Sequence, residues 1–254
     1  MKPVYIGVTG VKDETTAAYL HSLERKCGIY ISQNILCCSG NIQEPHIAGN
    51  QNPGAHGLGR VIRAAGLSSV HYHCCSDTRV ASGDLGSDIL MSEIDQMLSF
   101  AGVNPNIIQL NNAWPSPNIF SRIKSYGINV VLQCPKETLT DFYSFEQKIS
   151  AYADVGIDYC LIDPSGGVGN ELTVETAAQV KKYLSLAEKH LPTTRAGFAG
   201  GLCAANVAEL YRYMDGKYFV CAQGKLKTHK TLDAHKAHDF IFATADVMRE
   251  INKK

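Results

Sequence analysis

The sequence predicts a single-domain α/β protein folded as a (β/α)8 TIM barrel. Short apolar, β-branched runs alternate along the chain with segments of amphipathic, helical pattern. Eight such runs fit in 254 residues, which is the number and length that a barrel of this kind needs. No linker or low-complexity segment interrupts them, so residues 1–254 read as one domain. An open doubly wound sheet takes the same alternation and is the main competitor.

The first run is VYIGVTG (4–10). DETTAAYLHSLERKCG follows, with Asp at its start and Gly at its end as helix start and stop signals. The next runs are IYISQNILCC (29–38), VHYHCCSD (70–77), NIIQLNNA (106–113) and INVVLQC (128–134). IDYCLID (157–163), TTRAGFAGG (193–201) and KYFVCAQG (217–224) complete the set. Helical patterns such as NIFSRIKSYG, DFYSFEQKISAYADVG, VETAAQVKKYLSLAEKHL and NVAELYRYMDG occupy seven of the eight intervals, counting the tail. The weakest interval is 39–69: it opens with an extended loop at about 39–59, rich in Gly, Asn and Pro, and only LGRVIRAAG at its end is helical in pattern.

Composition narrows the function classes. The chain has 24 basic and 24 acidic residues and no basic stripe, so nucleic acid is not an expected partner; the lysines near 225–236 are too local to change that. No run approaches the roughly 18–20 apolar residues that cross a bilayer, so no membrane partner is expected. The N-terminal MKPVYIGVTG is strand-like rather than a signal peptide, which makes the cytoplasm the default. Nine cysteines without a C-x-x-C pair argue against a disulfide framework or a structural zinc site.

In a barrel, chemistry sits at the C-terminal ends of the strands. The sixth run ends at Asp163 and is followed by Gly166, Gly167 and Gly169; the seventh ends at Gly200 and Gly201; the eighth ends at Gln223 and Gly224. Glycines there let backbone N–H groups approach an anion, although a tight strand-to-helix turn also needs them. Three such turns in succession read as a phosphate cradle, and the expected partner is a small phosphorylated substrate.

The motifs IDPSGGVGN, AGFAGGLCAANVAEL and NIIQLNN, with VYIGVTGVKDETTAAYL in outline, resemble in order the phosphoribosylanthranilate isomerase family. The resemblance spans about two thirds of the chain. It implies an aldose–ketose type isomerase, an intramolecular oxidoreductase of tryptophan biosynthesis, performing an Amadori rearrangement on a phosphorylated sugar-amine with no metal or organic cofactor. It is compatible with a homodimer. It implies Asp163 as the acid that opens the sugar ring, Gln109 as a substrate-hydroxyl ligand and Arg60 as the counterpart of an arginine that binds the anthranilate carboxylate. For Asp163, burial would favour the protonated form and nearby backbone donors the ionised one; the sequence leaves both open.

The family's base, a cysteine at the end of strand 1, is missing: Gly7 or Thr9 stands there according to the gap chosen. Neither is a competent base unaided. Asp77 is the better substitute, since a carboxylate is already a base, though it reads equally as a helix cap. Cys37, Cys38, Cys74, Cys75 and Cys134 also end strands but read mainly as packing thiols. His71 and His73 share a strand face and Trp114 follows the fourth run, each with a packing alternative. The missing cysteine keeps two other readings open: a phosphosugar epimerase, aldolase or lyase, with Lys136 as a Schiff-base candidate, or a non-catalytic phosphometabolite binder.

Overall fold

The computed structural model describes residues 3–38, 53–73, 84–110, 114–165 and 172–253. Eight parallel strands close into a barrel in sequence order, with the first paired to the eighth. They are β1 (Tyr5–Thr9), β2 (Tyr30–Cys38), β3 (Leu67–His73), β4 (Ile107–Leu110), β5 (Asn129–Pro135), β6 (Tyr159–Asp163), β7 (Arg195–Ala199) and β8 (Phe219–Ala222). The open doubly wound alternative is thereby excluded.

Among the described residues eight α-helices cover the barrel: α1 (Glu14–Cys27), α2 (Gly54–Ala64), α3 (Asp84–Ala101), α4 (Pro117–Ser125), α5 (Phe142–Ser150), α6 (Val174–His190), α7 (Val207–Tyr213) and α8 (Ala234–Asn252). Local chemistry sets their ends. Asp13 caps α1 by accepting the Thr16 N–H at 2.8 Å, and Gly28, at φ 66°, stops it. These are the start and stop residues expected from the sequence.

Three expectations shift. The extended loop of 39–59 is cut short, because α2 already begins at Gly54. Three glycines, at 54, 57 and 59, disguise that helix in the sequence. Gly59 has a packing reason: a Cβ there would lie 2.0 Å from the Ala101 carbonyl oxygen of α3. The third strand begins at Leu67, three residues before the expected run, and residues 74–77 lie outside the described set. GKLKTHKT is more than a basic loop: Lys227–Thr228 and Thr231–Leu232 pair as a small antiparallel ribbon, β9 and β10. Its two-residue turn holds His229 and Lys230 at φ 49° and 65°. Turns of that twist prefer Asn or Gly, so His-Lys carries no hairpin signal.

Strand alternation sends odd-numbered side chains of β1 and β4–β8 into the barrel and even-numbered ones out against the helices. Tyr5, Tyr159 and Phe219 plug the interior, with ring centroids 4.5–5.6 Å apart. Phe219 lies so close to β7 that a Cβ on Gly197 would meet its ring at 2.5 Å. Cys134 and Cys160 face outward, with their sulfurs 4.0 Å apart, and Cys37 joins the same outer core. This confirms a packing role for Cys37 and Cys134.

Gly197→Ala is expected to lower stability by about 1–3 kcal/mol by forcing the Phe219 ring aside, seen as a lower urea midpoint with unchanged slope.

Candidate functional site

Above the aromatic plug the inward side chains become polar. Thr9, Asn34, Gln109, Gln133 and Asp163 come from five strands and are all buried. Burial of so many polar groups in one place requires that they satisfy one another. They form two networks.

The first runs across β4, β5 and β6. Gln109 Nε2 donates to Gln133 Oε1 at 2.7 Å, and Gln133 Nε2 donates to Asp163 Oδ2 at 3.0 Å. The other carboxylate oxygen, Oδ1, accepts the backbone N–H of Ser165 at 3.1 Å and its hydroxyl at 2.7 Å. Among the described residues three donors thus converge on one carboxyl group, a pattern that suits the ionised, acceptor-only form. The relay has a direction. With Asp163 ionised, Gln133 must present its NH2 there, so its oxygen faces Gln109, and Gln109 in turn must use its NH2. Gln109 Oε1 is left over: it is buried and has no hydrogen-bond partner among the described residues.

The second network joins β1, β2 and β8. Asn34 Nδ2 donates to Thr9 Oγ1 at 3.0 Å and approaches Cys221 Sγ at 4.0 Å, while Ser32 donates to Asn34 Oδ1 at 3.2 Å. Cys221 pairs in register with Gly7 on one side and Ala199 on the other. The fit to Gly7 is tight, since a Cβ built there would lie 2.2 Å from Cys221 Sγ. Gly7 is therefore the space into which this thiol projects. Burial pushes the Cys221 thiol up to about 12; the Asn34 amide opposes this and the charge of Asp163 adds to it.

The first network, with Thr9 and Cys221 from the second, lines one chamber of about 40 Å³ at the C-terminal mouth, with Ala199, Gly200, Gly201, Gln223 and Gly224 along its edge. That volume holds roughly one water, so it can take the reacting end of a ligand and not a whole sugar phosphate. At the edge, Gly200 and Gly201 have φ of 127° and 55°, conformations that side-chain-bearing residues rarely adopt. Asn206 fixes this turn by accepting the Cys203 N–H at 2.9 Å and donating to the Gly201 carbonyl at 3.0 Å.

The structure therefore gathers Asp163, Thr9, Gln109, Gly200, Gly201, Gln223 and Gly224, as expected from the sequence. Asp77, Gly166, Gly167 and Gly169 lie outside the described residues, as do the side chains of His71 and His73. Arg60 is not part of the chamber: it is exposed on α2 and pairs with Glu14 at 2.9 Å. Trp114 is also elsewhere, packed in the helix layer against Phe145 and Tyr152 with centroids 5.6 and 6.0 Å away. Lys136 is exposed in a short turn after β5. Among the described residues, no three His, Cys, Asp or Glu converge as a metal site, and no helix is long and apolar enough to cross a membrane.

Gln133, Asn34, Ser165 and Cys221 were missed at the sequence level. Gln133 did carry a signal, a lone amide at an inward position of an apolar run; Asn34 carried a weaker one, since Gln33 stands beside it. Cys221 carried none, because its meaning depends on the missing side chain of Gly7 on the neighbouring strand.

No family model matches the sequence, and no curated protein matches it. Solved structures do match the fold. Phosphoribosyl anthranilate isomerase from Thermococcus kodakaraensis superposes with a TM-score of 0.63 at 16% identity, covering 97% of this chain and 99% of that one. A phosphoribosyl anthranilate isomerase in complex with reduced 1-(o-carboxyphenylamino)-1-deoxyribulose 5-phosphate gives 0.58 at 10% identity, over 96% and 99%. Ribulose-1,5-bisphosphate carboxylase/oxygenase from Pyrococcus horikoshii, complexed with sulfate, gives 0.55 at 12% identity, over 99% of this chain and 59% of that one. At these identities the likeness establishes the barrel fold and leaves the activity to the site.

Two substitutions test the networks. Gln133→Met removes one donor from a buried carboxylate and is expected to cost about 1–3 kcal/mol in urea unfolding. Gly7→Ala is expected to destabilise by a similar amount, about 1–3 kcal/mol, and adding Cys221→Ala should recover most of it. Additive losses in that double variant would contradict the contact.

Proposed function

We propose that this protein is a cofactor-free isomerase of a phosphorylated sugar or sugar-amine, of the aldose–ketose type, with phosphoribosylanthranilate as the first substrate to test. The observation that carries the reading is Asp163: a buried carboxyl group held by three donors at a strand end, facing a glycine-edged mouth. Isomerisation of this kind moves protons between neighbouring atoms of the substrate. It needs a rigidly placed acid–base group shielded from water, and no electron carrier.

The roles follow from position. Held by donors that suit a carboxylate, Asp163 handles the proton at the reacting carbons, in place of the ring-opening acid that the family resemblance implies. Gln109 Oε1, the unpartnered acceptor, takes a substrate hydroxyl. The N–H groups at Gly200, Gly201 and Gly224 offer donors to a phosphate at the chamber edge, a role the sequence also suggests for Gly166, Gly167 and Gly169. The fold neighbours support this class of ligand, since they are named for phosphorylated sugar derivatives. An aldolase working through a Schiff base is disfavoured, because no lysine is among the described residues lining the chamber and Lys136 lies outside it.

Purified protein is expected to consume phosphoribosylanthranilate, seen as loss of its anthranilate fluorescence, and Asp163→Asn is expected to lower kcat by about 100-fold or more. Absence of turnover by the wild-type protein would overturn the reading.

A further inference from the structure

We propose that Cys221 is the second catalytic group of this site, its thiol giving a proton to the substrate's ring oxygen and Asp163 then taking one from C2. The inference rests on the isomerase reading above and supplies the partner that Asp163 needs.

A one-chamber proton transfer requires two groups, one holding a proton and one able to take it. The described lining offers two ionisable side chains, Asp163 and Cys221. They enter from β6 and β8, on either side of the small residue Ala199, so no bulky side chain separates them. Adjacent strands lie about 4.8 Å apart, which puts the two backbones about 10 Å apart. A ligand's reacting end then lies between the two side chains. Gln109 Oε1, buried in the same chamber and without a partner among the described residues, points independently to a ligand that brings its own donor.

Their proton inventories are complementary. Asp163 accepts from Gln133 and twice from Ser165, an arrangement for a carboxylate. Cys221 is faced by the Asn34 amide from β2, by the Tyr5 phenol from β1 and by Asp163 from β6. Burial and the Asp163 charge keep its proton on sulfur. In the resting site the thiol is therefore the donor and the carboxylate the acceptor.

The steps balance. The proton of Cys221 Sγ passes to the ring oxygen as the C1–O bond breaks, and the nitrogen lone pair closes the C1=N bond. Asp163 takes the C2 proton; the C2–H pair becomes the C1=C2 bond, and the C1=N pair returns to nitrogen. The protonated Asp163 then gives its proton to C1 as the enol O–H proton passes to the thiolate and the ketone forms. Both groups end as they began, with no oxidant or further reactant.

The packing around Gly7 provides a test that separates chemistry from packing. Cys221→Ala and Cys221→Ser are expected to lower kcat on phosphoribosylanthranilate by about 100-fold or more with KM changed less than about threefold. Because a Cβ at position 7 falls 2.2 Å from Cys221 Sγ, a thiol carried from strand β1 enters nearly the same space. Gly7→Cys combined with Cys221→Gly is therefore expected to recover at least about tenfold of the lost kcat, a gain of one decade per 1.4 kcal/mol of barrier. Wild-type turnover with kcat of Cys221→Ala within about threefold of wild type would overturn the role of Cys221 and leave the isomerase reading standing. No turnover by the wild type would overturn both.

Discussion

The site depends on the cost of keeping a carboxylate inside a protein. An ionised group taken out of water loses several kcal/mol of solvation unless donors replace it. Asp163 obtains those donors from Gln133 and Ser165, and Gln133 is itself oriented by Gln109. One charge therefore fixes two amide orientations and leaves Gln109 Oε1 open. The polarity of the chamber follows from this chain of hydrogen bonds, and so does its readiness for a ligand that donates one.

The apolar scaffold holds that chain in place. Tyr5, Tyr159 and Phe219 fill the barrel below it, and the parallel register sets Asp163, Ala199, Cys221 and Gly7 on consecutive strands near the mouth. Small residues at Gly7 and Ala199 leave room for one thiol. The packing that excludes water also keeps that thiol protonated, since burial and the charge of Asp163 both disfavour the thiolate. Stability and chemistry at this position thus have one cause.

Much of the fold was legible in the sequence because each βα unit carries its own signals. The Asp13 and Gly28 ends of α1 are local and were readable. Helix α2 was only half readable, because its glycines serve contact with α3, a tertiary fact. The His229–Lys230 turn was invisible, because those residue types do not announce a left-handed turn. In the site, Asp163 and the glycine edges were visible as strand-end motifs. Arg60 and Trp114 misled, since a position after a strand does not decide whether a side chain turns to the mouth or to the helices. The relation of Cys221 to Gly7 lies 214 residues apart in sequence and exists only once the barrel closes.

Two protonation states decide the chemistry of the chamber, an ionised Asp163 and a protonated Cys221. Infrared difference spectra at neutral pH, wild type minus Asp163→Asn and wild type minus Cys221→Ala, read both directly. The expected result is a carboxylate stretch lost with Asp163 and an S–H stretch lost with Cys221. A protonated carboxyl band assigned to Asp163, or no S–H band assigned to Cys221, would contradict it.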